Sequence, residues 1–78
     1  MDNSKPTYAK VKFPNDPKEH LYDLYKTKLG VHTSDMWYDI ACHTDNNFKV
    51  AGEIENWAKD AEVGQSYSLA GISISITA

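Results

Sequence analysis

A chain of 78 residues makes one domain, near the lower limit at which a single hydrophobic core holds without staples. The lone cysteine, Cys42, excludes an internal disulfide framework, which suits a reducing compartment. No run approaches the roughly 18 apolar residues of a membrane span, and the opening MDNSKP has no apolar stretch of the secretory kind, so the expected location is the cytosol.

The formal net charge is −3, but its sign is unevenly placed. Residues 1–30 carry six lysines against Asp2, Asp16, Glu19 and Asp23, whereas residues 31–78 carry Lys49 and Lys59 against seven acids. Arginine is absent altogether. Because arginine is the usual reader of guanine edges and the bidentate phosphate clamp, nucleic acid is not the first partner expected.

Thr7 to Phe13 alternates, with Ala9, Val11 and Phe13 on one side and Tyr8, Lys10 and Lys12 on the other. Period two with a lysine-rich outer face predicts a strand with one buried side, ended by Pro14. Asp16-Pro17-Lys18-Glu19 then has the form of a helix start, with an N-cap, a proline at N1 and a glutamate at N3. The spacing of Leu21, Leu24, Tyr25 and Leu29 predicts a helix over 17–29, with Lys26 and Lys28 near its negative end and Gly30 just past it.

Val31 to Asp35 reads as a polar connection. In Met36–His43 the alternation of Tyr38, Ile40 and Cys42 against Trp37, Asp39 and Ala41 favours a strand, with a helix as the competing assignment. Thr44-Asp45-Asn46-Asn47 is turn chemistry, and Phe48–Val50 is read as a short returning strand. The second helix starts at Asn46 or at Gly52. The later start is preferred, since Phe48 falls off the stripe formed by Val50, Ala51, Ile54, Trp57, Ala58 and Ala61, and an interior glycine costs about 1 kcal/mol. Gly64 is placed as its C-terminal glycine. Beyond it, Tyr67 and Leu69 alternate with Ser66 and Ser68, Ala70-Gly71 turns, and Ile72, Ile74 and Ile76 alternate with Ser73, Ser75 and Thr77. The expected fold is α+β, with two helices packed on one face of a small, mostly antiparallel sheet. A small α/β unit with parallel pairing is the runner-up.

Chemistry is poorly served by these residues. In a strand, Cys42 and His43 point to opposite faces, and Cys42 is expected in the core. His20, His32 and His43 are dispersed and lack zinc-ligand spacing, while Asp45-Asn46-Asn47 lacks the glycine and distal glutamate of a calcium loop. There is no glycine-rich phosphate cradle and no identifiable carboxylate pair in a pocket. The chain is therefore expected to have no catalytic residues, no metal and no cofactor.

Two surfaces remain as binding candidates. One is the outer face of the second helix, with Glu53, Glu55, Asp60 and Glu62 around Lys59. The other is the open sheet face, with Tyr8, Lys10, Lys12 and the Ser73/Ser75/Thr77 row, where aromatics beside lysines suit single-stranded nucleic acid. Trp37, if it lies beside Tyr8, is the best interface anchor, whereas Trp57 belongs to the core side of its helix.

Trp57-Ala58-x-x-Ala61-x-x-Gly64-x-x-Tyr67, followed by an alternating last strand, resembles the tails of short phage and mobile-element proteins. The resemblance covers the last third of the chain and carries over no catalytic residue. It implies a small non-catalytic protein that binds a host or phage protein, as anti-CRISPR inhibitors do. Together these expectations describe a protein-binding module with Glu53, Glu55, Asp60, Glu62, Trp37 and Tyr8 as partner-binding residues. Single-stranded nucleic-acid binding is the alternative, and the small core leaves room for a homodimer.

Overall fold

The computed structural model describes residues 7–29 and 35–78. Four antiparallel strands form one sheet in the order Glu19–Asp23, Tyr8–Lys12, Ile72–Thr77, Ser66–Leu69, and two helices of nine and thirteen residues complete an α+β domain. The strands are β1 (Tyr8–Lys12), β2 (Glu19–Asp23), β3 (Ser66–Leu69) and β4 (Ile72–Thr77). The helices are α1 (Tyr25–Lys28), a single turn, followed by α2 (Asp35–His43) and α3 (Phe48–Asp60). The polar connection expected from Val31 lies, apart from Asp35, outside the described residues, as do Gly30 and His32.

The two central strands follow their alternation. Ala9, Val11 and Phe13 from β1 and its end, with Ile72, Ile74 and Ile76 from β4, form the buried side of the sheet. Met36, Ile40 and Ala41 of α2, and Ala51, Ile54 and Ala58 of α3, close the core from the helical side.

The helix expected over 17–29 is replaced by an edge strand and a single helical turn. Phe13-Pro14-Asn15-Asp16 is a turn closed by Asp16 N–H on Phe13 O (3.3 Å). The Asp16 carboxylate caps the turn by accepting from Lys18 N (2.9 Å) rather than starting a helix. β2 then pairs with β1 along its whole length, from Lys12↔Glu19 to Tyr8↔Asp23. Its sequence suits both periods, since Leu21 and Leu24 fit a helical stripe while His20, Tyr22 and Leu24 fit period two. The unpaired backbone edge of β1 decides between them, because a buried strand must satisfy both of its sides. Leu21, Tyr25 and Leu29, three members of the expected stripe, are accordingly exposed.

The strand expected at Met36–His43 is α2. Met36 and Ile40 are one helical turn apart on the buried side, with Ala41 beside them. Cys42 lies about 200° of helical rotation from Ile40, so it is exposed rather than in the core. The helix ends in a Schellman pattern: Asn46 N–H bonds Ala41 O at 2.8 Å, with Asp45 and Asn46 at φ 56° and 62°. Asp and Asn tolerate this left-handed backbone, as the turn chemistry of that tetrapeptide requires.

α3 begins at Phe48, not at Gly52, and the short strand read at Phe48–Val50 is its first turn. Asn47 supplies the N-cap, its side-chain oxygen accepting from Val50 N at 3.2 Å. Gly52 is therefore an interior helical residue. At the other end, Lys28 Nζ donates to Ala61 O at 2.6 Å, a cation on the negative pole of α3.

Gly64 (φ 96°) does not close the helix; it sits one turn later, opening β3. Gln65 N–H closes a turn on Glu62 O (3.0 Å), Gly64 N–H bonds Ile76 O (2.9 Å) and Ile76 N–H bonds Gln65 O (2.9 Å). Two residues therefore face one, a bulge with glycine at its first position. Ala70 (φ 54°) and Gly71 (φ 82°) then form the two-residue type I′ turn joining β3 to β4.

Candidate functional site

The open face of the sheet carries the residues anticipated for it. Lys10 lies between Leu21 and Ser75, Lys12 between Glu19 and Ser73, and Tyr8 between Asp23 and Thr77. Ser66 and Ser68 extend the two lysine rows onto β3. The small serines leave a shallow depression of about 470 Å³ beside Lys10 and Lys12. The acids of β2 lie in the same rows as Lys12 and Tyr8, so the face carries both signs.

The acidic helix face is smaller than expected. Glu53, Asp60 and Glu62 are exposed, but Glu55 is buried and accepts a hydrogen bond from the Thr27 hydroxyl at 3.2 Å. Glu55 thus ties α1 to α3 instead of facing solvent. On the outer side of α3, Lys49 precedes Glu53 by one turn, and Lys59 adjoins Asp60, so the ridge is of mixed charge.

Trp37 is not beside Tyr8. On α2 its indole stacks on Phe48 of α3, with ring centroids 5.3 Å apart and planes 3° from parallel. Tyr38 meets the same indole edge-on at 5.3 Å. Phe48 is 57% exposed and Tyr38 51%, while Trp37 is half-buried beneath them. The three rings form an aromatic corner where α2 turns into α3. Tyr38 and Phe48 were missed in the sequence because strand assignments gave them other neighbours. A helical assignment for Met36–His43 would have placed Tyr38 opposite the core.

A second aromatic group joins the first hairpin to α2. The His43 ring stacks on buried Phe13 at 3.9 Å and 8°, and His20 meets Phe13 edge-on at 5.4 Å. His43 Nδ1 lies 2.9 Å from Asp39 O, and since a carbonyl only accepts, Nδ1 carries the proton. His20 Nε2 contacts Asp16 Oδ2 at 2.8 Å, and this bond is the main cause holding the Asp16 carboxyl below its ordinary value. Among the described residues no three His, Cys, Asp or Glu side chains are placed to hold a metal ion. This group reads as a clasp between hairpin and helix. Trp57, expected in the core, is half-buried and stacks on Tyr67 of β3 at 5.1 Å and 17°.

No protein-family model matches the chain, and no curated protein and no solved structure matches it. Among the described residues no helix is long and apolar enough to cross a membrane.

Proposed function

We propose that this chain is a small non-catalytic protein-binding module that engages its partner through the aromatic corner of Trp37, Tyr38 and Phe48. The observation that carries this reading is the Trp37–Phe48 stack and what covers it. A half-buried tryptophan that packs against the core on one side, and on the other holds two aromatics each more than half exposed, gives those rings a rigid base and suits them as anchors. Such rings lose little conformational entropy on docking because they are already held. The mixed-charge ridge of α3 with Glu53 and Asp60, and with Glu62 just past the end of the helix, is better suited to a solvated rim than to a steering surface. The likeness of the last third to small phage and mobile-element proteins directs the search for a partner toward host defence complexes, with an inhibitor of the anti-CRISPR kind as the sharpest form of the idea.

The test is affinity capture from a host lysate with three proteins: the wild type, the Tyr38→Ser/Phe48→Ser double variant, and a variant with Glu53, Asp60 and Glu62 changed to lysine. Capture lost in the aromatic variant but kept in the charge-reversed one supports the reading, provided both variants melt as cooperatively as the wild type. Capture that survives loss of both rings refutes the assignment of this surface.

A further inference from the structure

We propose that the free edge of β3 pairs with β3 of a second copy, joining two four-stranded sheets into one of eight strands. β2 and β3 are the two edges of the sheet, and they are finished differently. β2 carries Glu19, His20 and Asp23, charged or ionisable residues of the kind that guard an edge against pairing. β3 reads Ser-Tyr-Ser-Leu, with no charge and no proline. Among the described residues its one strand partner is β4, so its other edge is unpaired within the sheet.

The phase of the β3–β4 ladder shows what this edge offers. Ile76 N–H bonds Gln65 O, so the bonded positions of β3 alternate from Gln65 to Tyr67 and Leu69. The backbone N–H and C=O groups of Ser66 and Ser68 therefore point away from β4. An antiparallel two-fold axis centred on Tyr67 pairs Ser66 with Ser68 of the second copy, and Ser68 with its Ser66. Centring the axis on either serine instead leaves part of that set unpaired, so the register is fixed by the ladder.

The side chains agree with this register. On the open face a serine meets a serine, with no like charges opposed. On the helical side the two Tyr67 rings come together in a non-bonded pair, whose Cα atoms lie about 4.5 Å apart. Each Tyr67 already stacks on its own Trp57, so four rings line up across the axis. Val63, 58% exposed just before the bulge, stands at the same end of β3. The equivalent pairing of β2 about Leu21 opposes Glu19 to Asp23 of the second copy, a like-charge contact on both sides of the axis. An isologous interface must complement itself, and the β3 edge does so in the register its ladder sets.

Sedimentation velocity over a concentration series from micromolar to millimolar tests the proposal with three full-length chains. The wild type is expected to pass from one to two chain masses as concentration rises, as an interface of few hydrogen bonds and little area requires. Ser66→Lys/Ser68→Lys puts introduced lysines opposite each other in the proposed register and is expected to stay monomeric. Ser66→Lys/Ser68→Glu opposes unlike charges at the same positions and is expected to dimerise at least as well as the wild type. Both substitute exposed side chains, and cooperative melting of each confirms that the fold is kept. A wild type that remains monomeric throughout overturns the proposal. Equal behaviour of the two double variants overturns it too, because the register alone distinguishes them.

Discussion

The phenol of Tyr22 donates a 2.6 Å hydrogen bond to Asp39 Oδ2, fastening the edge strand β2 to helix α2 across 17 residues of sequence. Burial first, and then this bond and the Asp39 charge, push the phenol well above its ordinary value of 10.0. A raised acid binds its proton more tightly in the folded state, so its contribution is fully present below pH 10 and is lost as pH rises through the folded value. Tyr22→Phe is expected to cost about 1.5–3 kcal/mol at neutral pH, the range for a bond to a charged acceptor. It is also expected to flatten the fall in stability above pH 10. Urea unfolding at pH 7 and melting temperatures from pH 8 to pH 11 measure both effects.

Asp16 is the opposite case. The His20 bond first, and the Lys18 backbone N–H second, hold its carboxyl below the ordinary 3.8. A lowered carboxyl contributes stability above the unfolded value, and that contribution is lost as pH falls through the folded one. Asp16→Asn is expected to shrink the drop in melting temperature between pH 5 and pH 2. The same steepness in both proteins would show that the turn does not depend on the charge.

Two substitutions outside the core are expected to raise stability. A Cβ built on Gly52 meets nothing within 4 Å, and the residue lies inside α3. Gly52→Ala therefore removes only unfolded-state freedom, a gain of about 0.5–1 kcal/mol. Ala70 stands at φ 54° in the first position of a type I′ turn, where asparagine before glycine is preferred. Ala70→Asn is expected to stabilise by a few tenths of a kcal/mol, up to about 1. Denaturant midpoints at unchanged slope read both effects, and a loss at Gly52 would contradict the start of α3 at Phe48.

Ile74→Ala and Phe48→Ala separate core from surface. Ile74 is 1% exposed in a central strand, and its truncation is expected to cost about 2–5 kcal/mol, enough to unfold much of a domain this small. Phe48, more than half exposed but stacked on Trp37, is expected to cost about 0.5–1.5 kcal/mol, the worth of an aromatic pair. That contrast is what allows Phe48 to be altered in a binding experiment without loss of the fold.

The residues differ in how openly they declare their places. Ala9, Val11 and Phe13, and Ile72, Ile74 and Ile76, repeat at period two with polar neighbours, and both strands are where that pattern puts them. Ala51, Ile54 and Ala58 likewise mark the buried side of α3. Of the proposed aromatic corner, the sequence singled out Trp37 alone and put it beside Tyr8, whereas its indole stacks on Phe48. The acidic set lost Glu55, whose place on the wheel borders the core and whose inward turn depends on Thr27, a residue 28 positions away.

The sequence by itself determined the α+β class, the two central strands, the turn at Ala70-Gly71, and the inner face of α3. In each case a run of residues has one periodicity or one turn signal, so local sterics and burial agree, although both ends of α3 differ from those expected. Tertiary structure decided the rest. Glu19–Asp23 became a strand because β1 had an unsatisfied edge, and Asp35–His43 became a helix because Met36 and Ile40 had to face α3 and the sheet together. Both segments are short and compatible with either period, so backbone pairing and shared burial, contacts made with distant residues, supplied the difference.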